Sequence, residues 1–170
     1  MTRFSARVWI DVAVLTVLTV IGLLGFATSF GTTSYLLAGL GGLAVGTLIA
    51  LLAASLRWGI LVTTLVLFGG YFLFGSFFAM PAQALLGFIP TAETLSGLAV
   101  GAVFGWADIV TLTTPVGAPD YIAVLPYIAS WLVGLTSATL SARWFVARRR
   151  TPAKSALALL GPIAIYVAGV

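Results

Sequence analysis

Carboxylates are the first candidates for acid–base chemistry in this chain, because the sequence contains neither cysteine nor histidine. Glu93 and Asp108 lie on one predicted helix, about 22 Å apart along its axis, and therefore cannot share a proton. Asp108 and Asp120 can approach one another across segment 115–119, but two carboxylates without further oxygen ligands form a weak cation site. The sequence therefore predicts no catalytic residue, no metal site and no cofactor site.

Hydroxyl groups do not supply the missing chemistry. No histidine is present to activate a serine, and the sequence contains no Gly-x-Ser-x-Gly motif and no phosphate-binding loop. The absence of cysteine also excludes disulfides, thiolate nucleophiles and nearly all zinc chemistry. Enzymatic activity is therefore not expected of this chain itself.

The composition is that of a membrane protein. Hydrophobic residues make up 61% of the 170 positions, charged residues only 7%, and the mean hydropathy is +1.19. Soluble domains carry about 25% charged residues because they need a hydrated surface. Most of this chain must therefore contact lipid, and the bilayer is its first predicted partner.

The gaps between charged residues locate the membrane spans, because a charge at the centre of a spanning helix costs about 2.5 to 3.5 kcal/mol. We expect an all-α membrane protein, a single multi-pass domain over residues 1–170. The predicted transmembrane helices are about 9–29, 35–56, 60–80, 121–142 and 155–170 onward. The last is shorter than the about 20 residues of a full crossing, so we expect the native protein to continue past Val170.

The segment 82–112 is too apolar for a free loop and too interrupted for a crossing. Thr91 can cap a helix that begins near Ala92 and ends near Leu112. The sequence leaves open whether this helix is interfacial or re-entrant. Its apolar stripe, predicted to be buried on the membrane or the bundle, comprises Leu95, Leu98, Ala102, Trp106 and Ile109.

Basic residues predict the orientation, because they favour cytoplasmic loops. With the N-terminus in the cytoplasm of a bacterial cell, all eight lie on the inner side of the plasma membrane: Arg3, Arg7, Arg57, Arg143, Arg148, Arg149, Arg150 and Lys154. The expected interface anchors are Trp9, Trp58, Trp106 and Trp144. The arginine run lies in a short loop between two spans, so its role is topological and no nucleic-acid binding is expected.

Small residues recur at four-residue steps, which permits close approach of helix backbones. The predicted packing positions are Gly42, Gly46, Gly97, Gly101, Gly105, Ser130 and Gly134. These positions favour tight helix packing over a solute pathway.

Several segments resemble a known family. They are residues 105–115, which read GWADIVTLTTP, then Leu125-Pro126, Trp131, the Arg143 end of the fourth span, and residues 157–169. Together they resemble the N-terminal membrane domain of bacterial transglutaminase-like membrane proteins, most closely the actinobacterial type. In that family, several spans precede an extracytoplasmic domain with a Cys-His-Asp triad. The resemblance implies that this chain anchors and positions such a domain, and it transfers no catalytic residue because cysteine and histidine are absent.

Two other functions remain open from the sequence. A membrane subunit of a small-solute transporter would need a polar cavity at mid-membrane. The candidates to line it are Thr16, Thr19, Thr63, Thr64 and Ser137. A structural module would instead bind a partner helix through its glycine faces.

Overall fold

Helices form nearly all of the computed structural model, which describes residues 5–27, 30, 33–111, 120–144 and 152–169. No strand occurs among these residues, which confirms the all-α fold class. The α-helices are α1 Ala6–Leu23, α2 Ser34–Ser55, α3 Ile60–Phe78, α4 Ala92–Thr111, α5 Val124–Thr139 and α6 Pro152–Gly169. A 3₁₀ turn over Leu24–Ala27 extends α1, another over Asp120–Ala123 leads into α5, and a π-helical turn over Leu140–Trp144 follows it.

Four segments are long and apolar enough to cross a membrane. They are Val8–Ala27, Ser34–Ser55, Ile60–Phe78 and Tyr121–Ala142, and they lie within the first four predicted spans or differ from them by a few residues. Helix α6 contains a shorter apolar stretch, Leu159–Ala168, which is not among these four. The fifth crossing stays a prediction.

Helices α2 and α5 form the centre of the bundle and run parallel to one another. Gly42 of α2 lies against Tyr127 of α5, and one turn later Gly46 lies against Trp131. Helix α3 returns antiparallel to α2, since Gly41 meets Phe78 while Gly70 meets Ile49. The outer helices α1 and α6 run parallel to each other and pack on the other side, with α1 touching both α2 and α5.

These directions bring basic positions to one end of the bundle, here called the arginine end. It comprises the start of α1, the turn between α2 and α3, the end of α5 and the start of α6. The basic residues at these places are Arg7, Arg57, Arg143 and Lys154. Glu93 and Asp120 lie at the opposite end, at the start of α4 and before α5. The predicted positions Arg3, Arg148, Arg149 and Arg150 fall outside the described residues.

The turn at the arginine end is tight. Helix α2 ends when Arg57 adopts the left-handed region with φ of 52°, and the Trp58 N–H donates to the Ala53 carbonyl at 3.0 Å. This is the hydrogen bond of a Schellman motif, in which glycine is the usual left-handed residue. Gly59 is the N-cap residue of α3, so α2 and α3 form a compact helical hairpin.

Residues 81–91 form a small hairpin-like loop at the opposite end. The Leu85 N–H donates to the Ile89 carbonyl at 3.0 Å, and the Ile89 N–H donates back at 2.9 Å. Leu86 and Gly87 have φ of 56° and 78°, as a type I′ turn requires. Leu86 is 79% exposed, so the tip of this loop presents an apolar side chain outward.

Helix α4 begins at Ala92, as predicted, and packs on the rest of the protein with its glycine-rich face. Thr94 and Leu98 are fully buried on this face, followed by Gly101 and Gly105. Within the predicted apolar stripe, Leu95 and Trp106 are instead 41% and 43% exposed, Ala102 is half-buried, and the Ile109 side chain lies outside the described residues. Leu98 of the predicted stripe therefore packs on the bundle, whereas Leu95 and Trp106 face away from it, and their burial in the membrane stays a prediction.

Candidate functional site

The contact between α2 and α5, here called the central seam, is formed by Gly42, Gly46, Ser130 and Gly134. On α2, a Cβ atom at Gly42 would overlap the Tyr127 carbonyl oxygen, and one at Gly46 would overlap the Trp131 carbonyl oxygen. Two consecutive turns of α2 therefore touch the backbone of α5 directly. Only glycine fits at these two positions without moving a helix.

Small residues of α5 form the other side of the central seam. A Cβ atom at Gly134 would lie 2.6 Å from the Leu43 carbonyl oxygen and 2.9 Å from the Thr47 hydroxyl oxygen. Ser130 is fully buried, and its hydroxyl donates to the Pro126 carbonyl within its own helix. Ser130 therefore acts at the seam as a small residue and not as a polar bridge between helices.

Two buried tyrosines, Tyr71 and Tyr127, join α3, α4 and α5. The Tyr71 hydroxyl donates to the Leu98 carbonyl at 3.0 Å, and the Tyr127 hydroxyl donates to the Tyr71 carbonyl at 3.2 Å. The two rings lie 5.6 Å apart, and Trp131 packs edge-on against Tyr71 at 5.5 Å. The pair Tyr71 and Tyr127 is here called the tyrosine junction. Each buried hydroxyl has a hydrogen-bond acceptor, and the pair connects three helices. The sequence prediction missed the junction.

The start of α4 is fixed by threonines. The Thr94 N–H donates to the Thr91 hydroxyl at 3.2 Å, and the Thr91 N–H donates to the Thr94 hydroxyl at 2.7 Å. This exchange has the form of a capping box, with threonine at the position that glutamate usually takes. Ser76 of α3 donates to the Thr94 hydroxyl at 3.3 Å, which ties the cap to the end of α3.

The glycines of α4 contact two different neighbours. A Cβ atom at Gly97 would collide with the Met80 side chain, which follows α3. One at Gly101 would lie 2.9 Å from the Val124 Cβ and 3.0 Å from the Tyr121 carbonyl oxygen. Gly105 is less tight, with the Leu125 side chain at 3.2 Å. Helix α4 thus rests on the end of α3 and the start of α5.

A further glycine contact, which the sequence analysis did not single out, joins α1 and α6. A Cβ atom at Gly22 would lie 2.7 Å from the Pro162 carbonyl oxygen, and one at Gly25 would lie 2.8 Å from the Tyr166 carbonyl oxygen. The three-residue spacing of these glycines was the available signal, although it differs from the four-residue steps of the other faces. The contact holds α6 parallel to α1.

The predicted interface anchors occupy different environments. Trp9 is 55% exposed near the start of α1, and Trp58 is half-buried in the turn between α2 and α3. Trp106 lies exposed on α4, and the side chain of Trp144 is outside the described residues. Trp9 and Trp58 both lie at the arginine end of the bundle.

The hydroxyl residues considered for a solute cavity do not meet at one place. Thr19 is fully buried and donates to the Leu15 carbonyl at 2.7 Å, whereas Thr63 donates to the Gly59 carbonyl at 3.0 Å. Thr63 and Thr64 line a groove between α3 and α5, which does not include Thr16, Thr19 or Ser137. Within the described part of the chain, these residues therefore do not line a shared polar cavity.

The described residues contain no group of three histidine, cysteine, aspartate or glutamate side chains that could hold a metal ion. The glycine contacts and the tyrosine hydrogen bonds described above hold the helices at short distance and fix α4 across α3 and α5. The sequence matches no protein-family model, and no curated protein or solved structure matches the chain.

Proposed function

We propose that this chain is a multi-pass membrane module that anchors an extracytoplasmic domain and holds it in a fixed position at the outer surface. The observation that carries the proposal is the fixed placement of α4 at the end of the bundle opposite the arginines. Gly101 and Gly105 seat this helix on α5, and Tyr71 binds its backbone from α3. A helix fixed in this way is a suitable platform for a domain above it.

The resemblance to transglutaminase-like membrane proteins indicates which kind of domain the membrane module would anchor. In this proposal, the Cys-His-Asp triad belongs to the extracytoplasmic domain, and the membrane module contributes position and not chemistry. The close backbone contacts at the central seam favour this role, because small residues let helices pack directly against each other. A transporter would need a polar site between its helices, and the hydroxyl residues considered for one do not line a common groove among the described residues.

The proposed orientation places the arginine end in the cytoplasm of a bacterial cell. Its support is the segregation of Arg7, Arg57, Arg143 and Lys154 to one end, since basic residues are retained on the cytoplasmic side during insertion. Five crossings, with α6 as the fifth, then deliver the chain to the outer side. The loop 81–91 and the start of α4 also lie outside.

Single cysteines test this orientation, and the native chain offers no background because it contains no cysteine. Thr33→Cys and Leu86→Cys should react with a membrane-impermeant maleimide in intact cells, since both positions are exposed at the proposed outer end. Gly59→Cys should react only after lysis, and its side chain meets no neighbour within 4 Å. Labelling of Gly59→Cys in intact cells contradicts the proposed orientation.

The native gene tests the anchoring function. We expect the reading frame after the Val170 codon to encode a domain with a Cys-His-Asp triad. Protease added to spheroplasts should digest that domain and leave the helices of the membrane module intact. A stop codon after Val170, or a downstream domain that is protected from external protease, would refute the anchoring function.

A further inference from the structure

Helix α6 contains a glycine–proline pair, Gly161-Pro162, near its middle. Proline has no N–H to donate to the carbonyl four residues earlier, here that of Ala158, and its ring crowds this carbonyl. The glycine before it has the least restricted backbone of any residue. Sharp bends in helices occur almost always at such residues. Residues 152–161, which begin at the arginine end, are here called the proximal half of α6, and residues 162–169 the distal half.

The distal half lies with its backbone directly on α1. Both close glycine contacts of α1 meet this half, Gly22 at the Pro162 carbonyl and Gly25 at the Tyr166 carbonyl. Ile165, between these two carbonyls, is 2% exposed and packs in a buried cluster that contains a side chain of α1. These contacts, here called the α1 contact, therefore hold the part of α6 that begins at the proline.

The glycine–proline pair itself has a close neighbour on one side and open space on another. A Cβ atom at Gly161 would lie 3.0 Å from the Val133 Cγ1 of α5, so α5 holds the helix at this point. Beside Pro162 lies a groove of about 350 Å³, whose walls come from α1 and α6 and include Leu18 and Ile163. No other helix of the described chain lines this groove. The distal half can therefore turn toward it about Pro162 without displacing a third helix.

We infer that Pro162 is a hinge that separates the two halves of α6, and that the α1 contact sets the direction of the distal half. A continuous helix transmits a displacement along its whole length, whereas a helix without the hydrogen bond at its middle bends there. A shift of the 3₁₀ turn Leu24–Ala27 would then move the distal half alone. If an outer domain follows α6, α1 would orient that domain, a consequence that rests on the proposed function, whereas the hinge does not.

Pulsed electron resonance on the purified chain can follow the two halves separately. A spin label at Val167 reports on the distal half and one at Leu160 on the end of the proximal half, each paired with a label at Leu132 of α5. All three side chains are exposed, and the native chain has no cysteine to interfere with labelling. Gly25→Leu should change the distance from Val167 to Leu132 by about 2 Å, because the leucine must displace the backbone that rests on it. The distance from Leu160 to Leu132 should stay unchanged.

Pro162→Ala provides the comparison, because alanine restores the missing N–H. In this background Gly25→Leu should shift both distances, since a continuous helix moves as one body. Leu24→Phe is the control and should shift neither distance, because Leu24 is exposed beside Gly25. If Gly25→Leu does not fold, Gly25→Ala replaces it, since its Cβ atom alone would lie 2.8 Å from the Tyr166 carbonyl oxygen. Equal shifts of both distances while Pro162 is present, or no shift at all, overturn the hinge and leave the anchoring function untouched.

Discussion

Gly46→Leu should lower the free energy of unfolding of the helix bundle by about 3 kcal/mol, at the upper end of what an overpacked core costs. The leucine side chain would have to displace the backbone of α5, because even a Cβ atom at this position overlaps the Trp131 carbonyl oxygen. A backbone cannot turn aside as a flexible side chain can. The whole central seam, including the contact at Gly42, must then open. Reversible unfolding in mixed micelles, followed by circular dichroism, measures this loss.

Gly69→Leu is the matched control. Gly69 is a helical glycine in the membrane-spanning segment of α3, and a Cβ atom there meets nothing within 4 Å. The same substitution at this position should be neutral or stabilise the protein slightly, because glycine is a poor helix former in water and leucine is a good one. Equal destabilisation by Gly46→Leu and Gly69→Leu would mean that the central seam does not determine the stability of the bundle.

The limits of the four long apolar helices were predictable from the sequence, because a charged residue at the centre of a spanning helix is costly. The long uncharged stretch that precedes Arg57 divides naturally at Gly31 and its hydroxyl neighbours, and α1 and α2 occupy the two halves. The cost of burying a charge in hydrocarbon fixes such limits to within a few residues. The same rule gave the α2–α3 hairpin at Arg57.

The face of α4 was not predictable in the same way. In water, an apolar stripe such as Leu95, Leu98 and Trp106 would turn toward the protein, because burial removes it from solvent. In a bilayer, lipid is as apolar as the protein interior, so hydropathy does not separate the two sides. Only Leu98 of these three is buried, while the spacing of Gly97, Gly101 and Gly105 identified the packed face.

The tyrosine junction illustrates a different limit. Tyr71 and Tyr127 lie 56 positions apart, and nothing in the sequence pairs them. A tyrosine within an apolar span does indicate that its hydroxyl must find a partner. The partners are the backbone carbonyls of Leu98 and Tyr71, which carry no sequence signature. The sequence can therefore indicate that a buried tyrosine hydroxyl needs an acceptor, but it cannot identify that acceptor.

Gly101→Leu should separate α4 from α5 while leaving the central seam closed. The new side chain would meet the Val124 Cβ and the Tyr121 carbonyl oxygen, both within 3.0 Å of the added Cβ. We expect a loss of about 2 kcal/mol in stability and an increase of about 2 Å in the distance between the helices. Spin labels at Val103 and Leu132, both exposed, can measure the separation by pulsed electron resonance.

Ser96→Leu is the control for this variant, because it introduces the same side chain on the exposed face of α4. The Ser96 hydroxyl donates only to the Glu93 carbonyl of its own helix, so its removal should cost less than about 0.5 kcal/mol. In a protein that carries the proposed outer domain, Gly101→Leu should also loosen that domain, whereas Ser96→Leu should not. If Gly101→Leu leaves the label distance unchanged, α4 is not held through its glycine face. The platform on which the anchoring proposal depends would then have to be sought in the tyrosine junction alone, where Tyr71 binds the Leu98 carbonyl.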